Sequence, residues 1–159
     1  MNGIRKYRFA PIVALLALVG AAASVSTAHA ITNADLRAGV YSDNGGVGLG
    51  GGVLTDMGSA TNWYFNPNME AAFGNGTDQF AVNADFHYDF TTNTGYSPYL
   101  GAGPALLWRR PDFGNTDTSP GVNVLGGVVG KHGDVRPFVQ MKGVFADQGQ
   151  VALVGGLRF

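Results

Sequence analysis

The chain has 159 residues, of which 25 are glycine and none is cysteine, and its formal net charge is −1. Without cysteine the fold receives no disulfide cross-links. Only 13% of the residues are charged and basic residues are not in excess, which argues against nucleic acid as a partner because that function favours a clustered basic face.

Residues 1–30 have the three parts of a secretory signal peptide. The segment 5–8 (RKYR) is positively charged, residues 11–23 (PIVALLALVGAAA) form an apolar run, and residues 28–30 (AHA) fit the small-x-small cleavage rule. The apolar run is shorter than the roughly 20 residues that a membrane-spanning helix needs. We therefore expect an exported protein that is cleaved after Ala30, with one mature domain at residues 31–159.

The mature domain alternates in hydropathy with period 2 and shows no useful helical period. Turn residues such as Gly, Asn and Asp separate the alternating segments, which predicts eight strands. The predicted strands are 34–42, 46–56, 62–73, 79–90, 97–109, 121–130, 136–146 and 150–159. Each is close to the roughly 9–11 residues with which a tilted strand crosses hydrocarbon. Because eight is even, both termini should lie at one end, with the longest connection, 111–120, at the other.

The two faces of these strands favour a barrel that is apolar on the outside. The polar faces are rich in Asn, Asp, Gln and Gly but poor in the Lys and Glu that usually coat soluble strands. The aromatic residues cluster at two rims, Trp63, Tyr88, Phe90 and Phe159 at one and Phe73, Phe80, Trp108 and Phe145 at the other. Two aromatic rims are typical of lipid-facing barrels, and a closed barrel pairs every backbone group as lipid requires. A soluble barrel with an apolar core is the alternative.

In these features the mature chain resembles the small eight-stranded outer-membrane β-barrel proteins, the group that includes opacity-type and OmpA-type barrels. The resemblance rests on the signal peptide, the strand count and four segments: 97–103 (SPYLGAG), 126–127 (GG), 136–138 (RPF) and 155–159 (GGLRF). It implies an all-β, eight-stranded antiparallel up-and-down transmembrane β-barrel in the outer membrane of a Gram-negative bacterium.

The C-terminal residues also match this family. Leu157 and Phe159 fit its assembly signal of alternating hydrophobic residues with a terminal aromatic. The resemblance implies periplasmic chaperones and the barrel-assembly machinery as partners, together with outer-membrane lipid and lipopolysaccharide. We expect a monomer.

The interior of such a barrel is just wide enough to be filled by its own side chains, so an open pore is not expected. Within the interior, Arg37, Lys142 and Arg158 can compensate acids that include Glu70 and Asp85, and buried charges require such partners. The predicted inward polar set is Arg37, Tyr41, Asn66, Asn68, Glu70, Asn83, Asp85, His87, Asp89, Asn123, Gln140, Lys142 and Arg158.

Hairpin registers follow from matching large side chains to glycines. We expect Tyr41 opposite Gly48 and Arg37 opposite Gly52 in the first hairpin, and Phe73 opposite Phe80 and Asn68 opposite Asp85 in the hairpin formed by the third and fourth strands. Pro67 and Pro104 fall inside predicted strands, where proline removes a ladder hydrogen bond. A β-bulge, a kink or a nearby strand end is expected at each proline.

The clearest candidate for chemistry is Asp85-x-His87-x-Asp89. Period-2 spacing puts the three side chains on one face, where they could bind a metal or transfer a proton. Polar filling of the interior is the other interpretation, and we favour it because inward polar residues are the rule in such barrels. We therefore expect no metal and no cofactor. Arg109 and Arg110, beside Trp108 at the outer rim, are candidates for contact with lipopolysaccharide phosphates.

The sequence thus predicts a non-enzymatic outer-membrane barrel with a filled interior and a structural or surface-interaction role. Two alternatives stay open. One is an outer-membrane lipid-modifying or hydrolytic enzyme that uses Asp85, His87 and Asp89. The other is a barrel that binds or transports a small apolar ligand.

Overall fold

The computed structural model describes residues 32–42, 46–58, 61–74 and 76–159. The predicted signal peptide and its cleavage site lie outside the described residues. Among the residues that are described, no helix is long and apolar enough to span a membrane.

Eight antiparallel strands close into a barrel in which each strand pairs with its neighbours in sequence and β1 pairs with β8. The predicted all-β, up-and-down architecture is therefore confirmed, and both ends of the barrel sequence lie at the same rim. The strands are β1 (Thr32–Tyr41), β2 (Gly46–Asp56), β3 (Trp63–Phe73), β4 (Thr77–Asp89), β5 (Tyr96–Pro111), β6 (Asp117–Gly130), β7 (Arg136–Phe145) and β8 (Gln150–Arg158). The rim that carries the strand termini is called the terminal rim below, and the opposite one the loop rim.

The hairpin of β5 and β6 is longer than the sequence predicts. β5 continues to Pro111 and β6 begins at Asp117, so half of the predicted connection 111–120 is strand. Pro120 is accommodated because β6 pairs with β7 only from Val122 onward. Pro120 therefore pairs with β5 alone and lies at a sheet edge, where proline is tolerated.

The two faces of the barrel confirm the inside-out arrangement. Apolar residues such as Leu36, Val139 and Leu153 are more than half exposed on the outer face, whereas Asp85 and Asn123 on the inner face are completely buried. A soluble barrel with an apolar core would have the opposite arrangement.

Aromatic pairs mark both rims of the outer face. Trp63 and Tyr88 stand edge to face with ring centroids 5.4 Å apart near the terminal rim, and Phe90 extends this group. Phe80 and Trp108 pack at 5.6 Å near the loop rim. These two groups occupy the positions that aromatic girdles take at the two interfaces of a membrane.

The predicted hairpin registers are wrong by two residues. Tyr41 pairs with Gly46 and Arg37 with Gly50, because pairing continues further into the turn than the sequence indicates. In the hairpin of β3 and β4, Asn68 pairs with Asn83 and not with Asp85. A shift of two residues keeps every side chain on its predicted face. The ring of Tyr41 still packs over Gly48, as expected, but from a diagonal position two residues away and not from directly opposite. A Cβ added at Gly48 would lie 2.5 Å from Cε2 of Tyr41.

At Pro67 the ladder between β2 and β3 is interrupted and resumes at Thr55 without a change of register. Proline has no N–H to donate to the opposite strand. The side-chain amide of Asn66 donates instead to the carbonyl oxygen of Val53, at 2.9 Å. No residue is inserted, so a β-bulge is excluded here.

Pro104 interrupts the ladder between β4 and β5 in the same manner. Pairs on both sides, Asn83 with Ala105 and Phe86 with Ala102, share one register, so a bulge is excluded here too. On its other side Pro104 stays paired with Val122 of β6.

The narrow interior makes inward glycines necessary, and this can be tested at Gly50. A Cβ at Gly50 would lie 2.5 Å from the carbonyl oxygen of Met69 and 2.9 Å from Cγ of Glu70. We predict that Gly50→Ala lowers the free energy of unfolding by about 1–3 kcal/mol through overpacking. Denaturant titration of the barrel folded in phospholipid vesicles measures this change.

Gly155→Ala is the matched control, because a Cβ there faces outward with its nearest neighbour 3.9 Å away. Its effect should stay within about 0.5 kcal/mol. Equal effects of the two substitutions would contradict a tightly filled interior.

Candidate functional site: the barrel interior

Glu70 connects opposite walls of the barrel. Its carboxylate forms an ion pair with Lys142 of β7, four strands away around the barrel, and a second one with Arg37 of β1 at 3.4 Å. The hydroxyl of Tyr41 donates a hydrogen bond to the same carboxylate at 3.2 Å. Glu70 and Lys142 are 2% and 1% exposed, so this contact is buried inside the barrel.

Arg37 extends the network toward the terminal rim. Its guanidinium binds Asp35 in a bidentate manner, with distances of 2.8 and 2.7 Å, and donates to Oδ1 of Asn66 at 2.8 Å. Such a fork of charge-assisted bonds is stronger than a single neutral hydrogen bond and fixes the geometry of both groups.

Asparagines bind the second buried acid, Asp85. The amides of Asn68 and Asn123 each donate to one oxygen of this carboxylate at 2.9 Å. Asn83 joins them, since it donates to Asn68 at 2.8 Å and accepts from Asn123 at 2.9 Å. Amide donors therefore solvate Asp85, whereas the sequence predicts that cations compensate it.

An arginine stacked on aromatic rings fills the interior near the terminal rim. The guanidinium of Arg158 lies 5.0 Å from the ring centroid of Tyr99 and 5.1 Å from that of Phe138. The Tyr99 hydroxyl donates to Gln140 at 3.1 Å. Of the five predicted network residues, Arg37, Glu70 and Lys142 are in direct contact, whereas Asp85 and Arg158 have other partners.

The structure separates Asp85 from the other two candidate residues, His87 and Asp89. Asp85, His87 and Asp89 share the inner face as predicted, but both oxygens of Asp85 are occupied by asparagine amides. Only His87 and Asp89 come together, with Nε2 and Oδ1 3.4 Å apart. Within the described ranges, no group of three or more His, Asp and Glu side chains is arranged to hold a metal ion.

A polar pocket of about 220 Å³ opens beside this pair at the terminal rim. Asp89 lines it together with Tyr64, Ser97, Lys131 and Arg136. His87 stacks between Tyr64 and Tyr99, with ring centroids 5.5 and 5.0 Å away. The arrangement provides one carboxylate and several donors to a small polar molecule.

At the loop rim the structure corrects one predicted contact. Arg109 is only 6% exposed and points inward, where it donates to Gln79 at 3.2 Å and to the carbonyl oxygen of Gln148 at 3.0 Å. The predicted contact of Arg109 with lipopolysaccharide is therefore wrong. The reason is that β5 continues to Pro111, so the alternation also continues and places Arg109 inside. Arg110 is exposed.

The predicted assembly-signal residues lie on the outer face at the terminal rim. Leu157 and Phe159 are 42% and 48% exposed. The N–H of Phe159 donates to the carbonyl oxygen of Ala34 at 2.9 Å, which joins the end of the chain to β1. Both residues thus stand where the last strand closes the barrel.

Sequence reasoning missed several interior residues. Asp35, Gln79, Tyr99 and Phe138 are buried and take part in the contacts above, and Arg109 belongs with them. Each has the same parity as an inward residue of its own strand, so strict alternation would have identified them. The bidentate pairing of Asp35 with Arg37 has no signal beyond this spacing.

No protein-family model matches the sequence, and no curated protein matches it. Solved structures do match. Neisserial surface protein A (NspA) is similar with a TM-score of 0.64 and 20% identity, over 80% of this chain and 94% of that one. The N-terminal β-barrel domain of Pseudomonas aeruginosa OprF gives 0.64 and 15%, over 82% and 100%. The outer-membrane enzyme PagL gives 0.55 and 14%, over 80% and 98%. The chain therefore has the fold of the small eight-stranded outer-membrane barrels.

The contact between Glu70 and Lys142 can be tested by a double-mutant cycle. Glu70→Ala should lower the free energy of unfolding by about 3–5 kcal/mol, because it leaves the buried ammonium of Lys142 without its ion pair. Glu70→Ala combined with Lys142→Met should cost less than Glu70→Ala alone. Denaturant titration in phospholipid vesicles measures these two variants and Lys142→Met alone, which completes the cycle.

Asp134→Ala, which removes an exposed acid from a turn, is the control and should have an effect near zero. A double variant that costs the sum of the two single substitutions would contradict the coupling.

Proposed function

We propose that this protein is an integral outer-membrane barrel with a structural or surface-interaction role in the cell envelope. The observation that carries the proposal is the buried ion pair of Glu70 and Lys142, which joins opposite walls across a narrow interior. A barrel closed in this way offers partners its two rims and its outer face rather than a channel.

The loop rim supports a surface role. The hairpin of β5 and β6 has the longest strands of the barrel, and Phe113 at its tip is 95% exposed. Arg110 is exposed on the same hairpin and is the remaining candidate for contact with lipopolysaccharide phosphates, to which guanidinium groups are suited. Periplasmic chaperones and the barrel-assembly machinery would be the partners during export.

Single cysteines test the location and orientation directly, because the chain has no native cysteine. We expect a membrane-impermeant maleimide to label Phe113→Cys on intact cells. His132→Cys, exposed in the turn after β6 at the terminal rim, is the matched control and should be labelled only after the outer membrane is permeabilised. The reverse pattern would contradict the orientation, and labelling of neither site in the membrane fraction would contradict the location.

An outer-membrane enzyme is the second candidate, favoured by the contact of His87 with Asp89 beside a polar pocket. The proposed non-enzymatic role predicts that wild type and His87→Ala release equally little fatty acid from extracted outer-membrane lipids. Asp85→Asn is a control for disturbing the interior without touching this pair. Lipid hydrolysis by the wild type that is lost in His87→Ala but kept in Asp85→Asn would favour the enzyme.

A further inference from the structure

An apolar groove of about 650 Å³ runs along the outside of the barrel over β5, β6 and β7. It exists because two outward positions hold glycine. Gly126 of β6 lies opposite Met141, and Gly143 of β7 lies opposite Val124. The two glycines are therefore diagonal neighbours on one face, and their missing side chains leave a continuous depression.

Apolar side chains form the walls of this groove. A Cβ added at Gly126 would lie 3.0 Å from Cδ2 of Leu100, and one added at Gly143 would lie 3.5 Å from the ring of Phe145. Met141 stands beside the floor and is 63% exposed. No charged side chain lines the groove among the described residues.

The groove crosses the zone between the two aromatic rims. Phe90, of the terminal-rim aromatic group, lines one end, and Phe145 lines the other end near the loop rim. Between such rims a barrel meets hydrocarbon, so the molecule that fills an elongated apolar depression there is a lipid chain.

A cation at the terminal rim favours one kind of lipid. Lys131 directly follows β6 at the terminal rim, and its ammonium binds the hydroxyl and carbonyl of Thr92, close to Phe90. Its positive charge attracts an anionic head group to this end of the groove.

We propose that this groove binds one acyl chain of a phospholipid whose phosphate lies at the terminal rim near Lys131. Lipopolysaccharide phosphates would lie at the loop rim, where Arg110 is their candidate contact, so they are not the source of this chain. The groove would thus hold a lipid in a fixed position on β6 and β7, distinct from the exchanging lipids around the rest of the barrel.

A photoactivatable phospholipid tests the site. The barrel is folded in phosphatidylcholine vesicles that contain phosphatidylglycerol with a diazirine in one acyl chain, and cross-linked residues are mapped by mass spectrometry. Cross-links should be enriched severalfold at Leu100, Met141 and Phe145 over Leu36 and Leu49, which are similarly exposed on β1 and β2.

Filling the groove should abolish the enrichment. Gly126→Leu combined with Gly143→Leu should reduce cross-linking at Leu100 to the level of Leu36, whereas Ala38→Leu, outward on β1, should leave it unchanged. Lys131→Gln keeps the groove and should lower the amount of phosphatidylglycerol retained on the purified barrel in native mass spectrometry.

Uniform cross-linking around the outer face would overturn the groove while leaving the membrane location intact. Protection of the groove by a second copy, seen as dimers in analytical ultracentrifugation, would also overturn it. Absence of cross-links on the whole outer face would overturn both the groove and the membrane location.

Discussion

Burial of charge in an interior without room for bulk water is the constraint on which the rest of this structure depends. Glu70, Asp35 and Asp85 are almost completely buried, and an unpaired buried charge is costly. Each acid is compensated by specific partners. Two cations bind Glu70, the guanidinium of Arg37 binds Asp35 in a bidentate manner, and two side-chain amides donate to Asp85. Of these contacts, the ion pair of Glu70 with Lys142 joins opposite walls and therefore helps to hold the closed shape of the barrel.

The same constraint explains the distribution of glycine. Inward glycines such as Gly50 and Gly127 make room for Arg37 and Tyr99 in a narrow cross-section. The outward glycines Gly126 and Gly143 shape the lipid-facing surface instead. Glycine thus permits close packing on the inner face and leaves a depression on the outer face.

Much of the fold could be predicted because period-2 alternation is a direct signal for strands, and eight such segments imply a closed barrel. The face of each residue follows from parity, which explains the agreement for Asn66, Asn83 and Gln140. Register could not be predicted, because glycine-rich turns such as that after Tyr41 fit several lengths. Arg109 was misplaced because two prolines made the end of β5 resemble a loop. Partner choice inside the barrel, such as amides for Asp85, depends on three-dimensional distances that spacing does not encode.

The most direct measurement is electrophoresis of the mature protein refolded in detergent micelles, compared with and without boiling and with and without protease. A membrane barrel locked by its interior should run as a compact, protease-resistant band that shifts after boiling. A protein that folds without detergent and shows no shift on boiling would contradict the inside-out barrel.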